Sequence, residues 1–494
     1  STCYFLLLAP LPSVAMWAAG RYARRRLLST SFSPGSWRTW VGRRASSWLP
    51  GGGGGHGRTA VEMAARDGEL RVFIVAGEVS GDSIAARLMA SLRRLSPFPV
   101  RFSGVGGSMM CKEGLQSLFP IEDIAVMGIW ELLPHIQKIR MKLYETVEAA
   151  ILFEPHVAVT VDSKGFSFRL LKKLKAKFYI KRVDSPLHIH YVAPSFWAWK
   201  GGETRLRNLS GFVDHILCIL PFEEEVCRKS GLAATFVGHP MLEDALRLKL
   251  EVKPSSCQVQ GNAEGFLYSH GLSSGNTVIT LLPGSRLQEV TRMLPIFLDT
   301  MELLKESFLD LAIVVIVAPN HHVEAFIDKV VQRAPLPTIL VPGASLDQKY
   351  DAFSASRAAL CASGTAVMEL QLARLPCVVA YRAHILTEWV IKYKTKLNFI
   401  SLPNILLDST VIPEALFQAC KPENLVTLLN EVICDANIRE QQIIAAEKVF
   451  KLLYPPKRAM GNSVPLEMGT CFANNCASMN AASTILYSAT KQIH

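Results

Sequence analysis

The sequence predicts an α/β protein with two doubly wound lobes, each a parallel sheet covered by helices on both faces. Its 494 residues exceed what one hydrophobic core usually holds. Short apolar runs alternate with stretches of helical periodicity in two blocks, residues 70–250 and 276–456. A polar segment at 251–275 separates the blocks and indicates a linker. Two such lobes predict a ligand-binding cleft between them, at the carboxyl ends of the strands.

The strands are predicted from short apolar runs bounded by turn residues. We expect six strands in the first lobe and five in the second: Val72–Ala76, Val100–Gly104, Val157–Val161, His190–Val192, His215–Ile219 and Thr235–Val237, then Thr277–Leu282, Ala312–Ala318, Thr338–Val341, Ala358–Ala362 and Pro376–Ala380. Residues 457–494 lack this alternation, and their fold is not predicted.

The head of the chain differs from the rest in charge. From Ser1 to Val61 there are eight Arg and no Lys, Asp or Glu, and removing eight charges from the formal net charge of +11 leaves +3. The remainder therefore lacks the positive excess expected of a nucleic-acid-binding protein. An acid-free segment rich in Arg and Ser predicts a mitochondrial presequence, followed by a flexible spacer at Gly51–Gly57. A secretory signal at Tyr4–Val14 is the alternative.

Several classes of site find no support in the sequence. The eleven cysteines include no C-x-x-C pair, so neither a metal site nor a disulfide framework is predicted. Neither lobe opens with a Walker loop or a G-x-G-x-x-G motif, which disfavours kinases and dehydrogenases. We expect no cofactor.

The first predicted strand leads into an acidic glycine loop, Gly77–Asp82. Loops at this position usually bind phosphate through backbone N–H groups, and an acidic side chain would repel that ligand. Carboxylates suit the neutral hydroxyls of a sugar instead. The loop therefore predicts an acceptor site made by Glu78, Ser80 and Asp82, with an ordinary capped turn as the alternative.

The first strand of the second lobe leads into a loop of opposite character. Gly284 offers flexible backbone, Ser285 a hydroxyl and Arg286 a forked cation, immediately before a predicted helix at 289–305. This combination predicts a phosphate site for a donor, and a surface arginine in a turn is the alternative.

A second turn in the same lobe has similar chemistry. Ser363, Gly364 and Thr365 follow the strand Ala358–Ala362, and Glu369 lies one helical turn later. Hydroxyls at a helix start bind phosphate, and a glutamate can accept both hydroxyls of a ribose. The alternative is a helix cap with an exposed glutamate.

Asp162 directly follows the strand Val157–Val161, so its carboxylate is expected at the cleft. There it can take a proton from an attacking hydroxyl as a general base. Capping of the next helix is the alternative.

Two apolar features can contact lipid or sugar. The loop His190–Trp199 carries two Trp and one Phe, whose faces pack against sugar rings, acyl chains or the lobe itself. The stretch Ala125–Leu143 has apolar residues at helical spacing beside basic residues, which predicts either a membrane-interface helix or a core helix. Its proposed lipid contacts are Met127, Ile129, Trp130, Leu132, Leu133 and Ile136.

Several ordered motifs between about Arg71 and Pro422 resemble the lipid-A-disaccharide synthase family, inverting glycosyltransferases with the two-lobed GT-B fold of Rossmann-like lobes. The motifs are Ala76–Asp82, Ala125–Ile129, His190–Trp199, Leu220–Glu223, Phe236–Pro240, Leu281–Arg286, Ala362–Ala366 and Ser401–Asn404. Each motif is weak alone, and their order and spacing make the joint match specific.

The resemblance implies transfer of 2,3-diacylglucosamine from its UDP donor to 2,3-diacylglucosamine 1-phosphate, giving a β(1→6) disaccharide 1-phosphate and UDP. It implies Asp162 as the essential aspartate and Glu78 on the acceptor side. On the donor side it implies Arg286 at the diphosphate, with Glu369 and Asn404 near the nucleotide. The apolar and basic stretch Ala125–Leu143 separately predicts a peripheral membrane protein.

The sequence departs from the family pattern at two places. Lys164 and Gly165 stand where relatives often carry Pro and a second acid, and residues from about 457 onward do not resemble the family's closing helix. Two other functions stay open: another UDP-sugar enzyme of this architecture, such as a 2-epimerase, and a lipid-binding or scaffold protein without turnover.

Overall fold

A computed structural model describes residues 59–124, 129–243, 258–332, 336–362, 364–383, 385–455 and 476–488. Its twelve described strands are β1 Leu70–Ala76, β2 Val100–Val105, β3 Val157–Val161, β4 Leu187–Tyr191, β5 His215–Cys218, β6 Ala234–Phe236, β7 Thr277–Leu282, β8 Leu311–Val317, β9 Thr338–Pro342, β10 Ala358–Ala362, β11 Cys377–Tyr381 and β12 Glu414–Leu416.

The described α-helices lie between these strands and at both ends of the described chain. They are α1 Ala60–Asp67, α2 Val79–Leu95, α3 Ser108–Lys112, α4 Ile129–Phe153, α5 Lys164–Lys181, α6 Gly202–Leu209, α7 Pro221–Lys229, α8 Ala263–Ser269, α9 Leu287–Leu304, α10 His321–Val331, α11 Leu346–Ala355, α12 Thr365–Leu372, α13 Ile385–Lys394, α14 Leu402–Leu407, α15 Pro422–Cys434, α16 Ala436–Leu453 and α17 Ala477–Tyr487. Among the described helices, none has the length and apolar character required to cross a bilayer.

Two six-stranded sheets form the centres of the two lobes. Their strand orders are β2-β1-β3-β4-β5-β6 and β12-β11-β10-β7-β8-β9, and neighbouring strands in both sheets are parallel. Strands β3, β4, β10 and β11 are buried along their whole length, because helices cover both faces. The predicted α/β class with two doubly wound, Rossmann-like lobes is confirmed.

The eleven predicted strands all have a counterpart in the structure. The largest shift concerns β4, which begins at Leu187 rather than His190. The twelfth strand, Glu414–Leu416, was missed because it is three residues long and starts with a charged residue. It pairs with β11 at the edge of the second sheet.

Each sheet reverses its strand order at one point, and this point defines where a ligand binds in doubly wound folds. In the first sheet β1 lies between β2 and β3, with Ala76 opposite Val161. In the second sheet β7 lies between β8 and β10, with Leu282 opposite Cys361. The predicted acceptor and donor loops follow these strands.

The two lobes are joined by backbone contacts as well as by the chain itself. Trp199 of the first lobe forms a β-bridge with Thr395 of the second. The N–H of Lys200 donates to the carbonyl of Lys394, and that of Lys396 donates to Ala198, both at 2.9 Å. The aromatic loop after β4 therefore reaches the second lobe.

The end of the described chain returns to the first lobe. Helix α17 packs on α2 and α1, with Ala481, Ala482, Ile485 and Leu486 buried. The Ser478 Oγ lies 2.8 Å from the Ser91 Oγ of α2. The atypical tail thus contributes a helix to the core of the first lobe, although no fold was predicted for it.

Candidate active site

The first strand-order reversal brings Glu78 and Asp162 to neighbouring positions. Glu78 precedes α2 and Asp162 follows β3, each one or two residues beyond a buried strand. Asp162 and Ser163 adopt left-handed backbone, with φ of 52° and 41°. This tight turn requires Gly77, because a Cβ there would lie 2.3 Å from the Ser163 Cβ.

The two carboxyl groups lie so close together that ionisation of one disfavours ionisation of the other. Burial and, to a smaller extent, the charge of Asp162 together raise the pKa of Glu78 to about 8. Burial also raises the pKa of Asp162, opposed by the Ser163 N–H and by the charge of Lys164. Glu78 is therefore mainly protonated near neutral pH, while the adjacent N–H and ammonium favour the charge on Asp162.

Lys164, the first residue of α5, is a cation close to this pair. Burial lowers the pKa of Lys164, and the charges of Asp162 and Glu78 raise it. Its Nζ lies 5.8 Å from the centroid of the Phe196 ring, and the Arg205 Cζ lies 5.9 Å from the same centroid. The first site thus combines two carboxyls, two cations and one aromatic ring.

Asp82 holds a neighbouring loop. Its side chain is only 3% exposed, and its carboxylate accepts the N–H groups of Gly107, Met109 and Met110 at 2.8, 2.9 and 3.1 Å. These bonds satisfy the start of the short helix α3. A direct contact between Asp82 and an acceptor stays a prediction, whereas Ser80 is exposed.

The second strand-order reversal places the predicted phosphate loop at the start of α9. Gly284 has φ of 123°, and a Cβ there would lie 2.4 Å from the Glu289 Oε2, so only glycine fits. Arg286 is the residue before α9, in extended conformation. Backbone donors and an arginine therefore meet at a helix start, as anion binding requires.

Glu289 lies directly beside this loop. Its Oε2 accepts the N–H of Ser285 at 3.3 Å. Burial raises the pKa of Glu289, while the charge of Arg286 opposes the rise. A protonated Glu289 would not repel a diphosphate at the loop, which makes the residue compatible with the predicted donor site.

The second donor turn contains an ion pair. The Lys349 Nζ, on a side chain 5% exposed, lies 3.0 Å from the Glu369 Oε1 on α12. The ion pair fixes the direction of the Glu369 side chain. Gly364 precedes α12 with φ of 146°, Thr365 is the first residue of that helix, and Ser363 lies outside the described residues.

Asn404, predicted on the nucleotide side, is fully buried. Its Nδ2 donates to the Ile412 carbonyl and to the Glu414 carboxylate, both at 2.8 Å. Its Oδ1 accepts the N–H groups of Val411 and Ile412 at 3.0 and 2.9 Å. All four hydrogen-bonding positions of the amide are used inside the protein. A direct contact with a nucleotide stays a prediction.

The aromatic loop is anchored by a buried acid. The Trp197 Nε1 donates to the Glu223 Oε1 at 3.1 Å, and Glu223 is fully buried. Burial raises the pKa of Glu223, the hydrogen bond from Trp197 opposes this rise, and the resulting pKa is about 7. The loop is thus positioned by the start of α7 and is part of the lobe's packing.

The predicted lipid-contact stretch belongs to α4, which runs without interruption through Pro134. Met127 lies outside the described residues, and the side chains of Ile129, Trp130, Leu132, Leu133 and Ile136 are not described either. Their contact with lipid stays a prediction.

The sequence alone indicated no role for four charged residues around these sites: Glu223, Glu289, Lys349 and Glu414. Glu289 lies three residues after Arg286, a spacing that suggests a role at the helix start. The Lys349–Glu369 and Glu414–Asn404 pairs join distant segments, and no local pattern in one sequence indicates them.

Comparisons with known proteins agree with the motifs. A family model described as lipid-A-disaccharide synthetase matches residues 72–465. The "Probable lipid-A-disaccharide synthase, mitochondrial" of Arabidopsis thaliana is 58% identical over 432 residues, covering 87% of this chain and 93% of the relative. The lipid-A-disaccharide synthase of Rhodospirillum centenum is 39% identical, covering 80% and 94%.

Solved structures share the fold at low identity. A UDP-GlcNAc 2-epimerase from Neisseria meningitidis has a TM-score of 0.52 and 12% identity, covering 78% of this chain and 97% of that one. A putative epimerase from Listeria monocytogenes has a TM-score of 0.51 and 13% identity, covering 77% and 92%. These likenesses concern the two-lobed fold alone. The family model and the extent of identity to the named relatives show that the chain belongs to the lipid-A-disaccharide synthase family.

Proposed function

We propose that the protein transfers 2,3-diacylglucosamine from UDP-2,3-diacylglucosamine to 2,3-diacylglucosamine 1-phosphate. The acceptor 6-hydroxyl oxygen attacks the donor anomeric carbon, the bond from that carbon to the diphosphate breaks, and inversion gives a β(1→6) disaccharide 1-phosphate. The hydroxyl proton passes to the base, and UDP leaves. Membership of the family carries this proposal, and the chemistry at the two strand-order reversals supports it.

Asp162 acts as the general base. It is the carboxylate stabilised by the Ser163 N–H and by Lys164, whereas Glu78 holds a proton near neutral pH. A protonated Glu78 can donate a hydrogen bond to an acceptor hydroxyl, while an ionised Asp162 can accept its proton. The raised pKa of Asp162 brings its basicity closer to the working pH.

The second lobe binds the donor. Arg286 and the start of α9 stabilise the negative charge that develops on the leaving diphosphate. A cationic site of this kind can provide that stabilisation without a metal ion. The start of α12 contributes further N–H groups, and Glu369, held by Lys349, accepts the ribose hydroxyls. Asp82 and Asn404 act by fixing loops around the two sites.

We further propose that the protein works at a membrane surface in mitochondria. Its lipid substrates require access to a bilayer, and α4 offers the predicted apolar stretch. Helix α13 also carries Trp389 and Tyr393, which are 59% and 62% exposed with ring centroids 4.9 Å apart. Exposed aromatic side chains favour the interface of a bilayer. The acid-free head and the mitochondrial relative support the compartment.

Product analysis tests the proposal. Purified protein is incubated with UDP-diacylglucosamine and the 1-phosphate acceptor, and products are identified by mass spectrometry. We expect disaccharide 1-phosphate and UDP in equal amounts. Interconversion of the donor sugar without an acceptor would support the 2-epimerase alternative, and lipid binding without release of UDP would support the non-catalytic alternative.

A further inference from the structure

We propose that Lys164 and Arg205 form a binding site for the phosphate group of the acceptor, on the first lobe beside Asp162. This inference rests on the proposed function. It assigns a ligand group to Arg205, which has no role in proton transfer or donor binding, and a second role to Lys164, which also stabilises the ionised Asp162.

The two cations come from different elements and meet at one aromatic ring. Lys164 begins α5, immediately after the turn that carries Asp162, and Arg205 lies in α6. Their charged ends are 5.8 and 5.9 Å from the centroid of Phe196. Phe196 itself follows β4, the neighbour of β3. The loop thus places two positive groups at the carboxyl edge of the first sheet.

Neither cation is neutralised by a close acid. Within the part of the chain that the structure describes, no carboxylate lies within 4.0 Å of Lys164 or of Arg205, although Asp162 and Glu78 attract Lys164 at longer range. Arg205 repels Lys164, and both the repulsion and the burial lower the Lys164 pKa. A phosphate dianion would relieve both unfavourable effects.

Apart from the carboxyls of Asp162 and Glu78, the groups around Lys164 favour an anionic ligand. His190 faces Lys164 from β4, and burial lowers its pKa to about 3, so it is neutral. The start of α5 adds its partial positive charge. Arg169 is occupied, since its Nη1 donates to the Gly165 carbonyl at 2.9 Å. The cationic side of the pocket is therefore Lys164 and Arg205, facing the carboxyls of Asp162 and Glu78.

This arrangement matches the acceptor's chemistry. The attacking hydroxyl and the 1-phosphate lie on opposite sides of one sugar ring, so a phosphate site must lie about one ring away from the general base. Lys164 follows Asp162 by two residues, and the Arg205 Cζ lies 5.9 Å from the centroid of the Phe196 ring. An arginine fork and a lysine point charge together suit a phosphomonoester.

The test compares two acceptors, 2,3-diacylglucosamine 1-phosphate and 2,3-diacylglucosamine without the phosphate. The wild-type protein is expected to prefer the first. Arg205→Met should lower kcat/KM for the phosphorylated acceptor at least tenfold, with little change for the other acceptor and for the KM of the donor. Lys164→Met should lower the rate with both acceptors, because Lys164 also stabilises the ionised Asp162, and its kcat/KM should fall at least tenfold further for the phosphorylated acceptor. Arg169→Met, a matched loss of one exposed cation from α5, should keep the wild-type preference.

A direct binding measurement separates this inference from the proposed function. Glucosamine 1-phosphate should perturb the NMR signals of the wild-type protein, and glucosamine should not, whether or not turnover occurs. Loss of that response in either methionine variant supports the site. Unchanged preference and unchanged binding in a folded Lys164→Met or Arg205→Met variant overturns it. Failure of the wild type to make any disaccharide, with binding intact, refutes the proposed function alone.

Discussion

Burial of Glu78 and Asp162 suits their proposed roles in proton transfer and lowers the free energy of unfolding of the protein. Both follow buried strands, and burial raises the pKa of each. Folding therefore forces Glu78 to keep a proton that it would release in the unfolded chain. A site that needs one neutral and one ionised carboxyl obtains this asymmetry from burial and from the nearby N–H and ammonium groups.

Glu78→Gln should stabilise the protein in alkaline solution. The pKa of Glu78 is about 8 when folded and 4.5 when unfolded, so the unfolded state releases the proton first as pH rises. Wild-type stability consequently falls between these values, and the glutamine variant lacks this loss. Thermal melts should show a higher Tm for the variant above about pH 8 and little difference near pH 4.5. Glu225→Gln, at an exposed glutamate, is the control and should show no alkaline gain. An equal Tm difference at both pH values would contradict the account.

Arg286→Ala should weaken UDP binding by roughly 1.5–3 kcal/mol, because a charge-assisted bond to the diphosphate is lost. Calorimetry on the folded variant measures this. Arg292→Ala removes an exposed arginine from the same helix and should leave UDP affinity unchanged. Equal affinity in the Arg286 variant would place the donor site elsewhere.

At the residue scale the sequence was informative where a strand ends. Glu78, Asp162 and Arg286 could be placed because each lies within four residues of the end of an apolar run. Asn404 and Asp82 were assigned from motifs, and in the structure their polar atoms bind backbone groups of other loops. Such tertiary hydrogen bonds join residues that are distant in sequence, so a single sequence does not indicate them.

Glycines set the geometry at the scale of the elements. Gly77 lets the turn after β3 approach the turn after β1, and Gly284 leaves space for Glu289 beside the donor loop. Strand positions were predictable because the runs are short, mostly apolar and bounded by turn residues. Strand β12 was not, because Glu414–Leu416 takes its place from pairing with β11 rather than from its own pattern.

Substitutions in helix α4 test whether the protein contacts a lipid bilayer through this helix. If its first turns face the bilayer, Leu132→Ser with Leu133→Ser removes two apolar contacts worth about 1.5–3 kcal/mol each. Co-sedimentation with anionic vesicles and the affinity for acylated substrates should both fall, while the Tm stays nearly constant. A lower Tm with normal vesicle binding would instead mean that the two leucines belong to the core.

The described chain forms two lobes, and in both the proposed binding edge lies at a strand-order reversal beside a glycine turn. A β-bridge between Trp199 and Thr395 joins the lobes, and the chain returns to the first lobe with α17, so neither lobe is independent of the other. The alternation of apolar runs predicted the two lobes. The return of α17 was not predictable, because its small buried residues resemble those of any short helix.

A reporter fused to residues 1–61 should enter mitochondria, since eight arginines without an acid can form a basic presequence. Imaging and import assays with isolated organelles measure this. Replacing Arg24, Arg25 and Arg26 with glutamate should abolish import. A wild-type fusion found in the cytosol or the medium would contradict the proposed compartment.

The central claim is that Asp162 removes the proton from the acceptor hydroxyl. Asp162→Asn keeps the volume of the side chain and cannot accept that proton at the same basicity. The single-turnover rate of disaccharide formation should fall about a hundredfold or more, and the affinity for UDP should equal that of the wild type. A folded variant that retains more than about a tenth of the wild-type rate would remove Asp162 from this role.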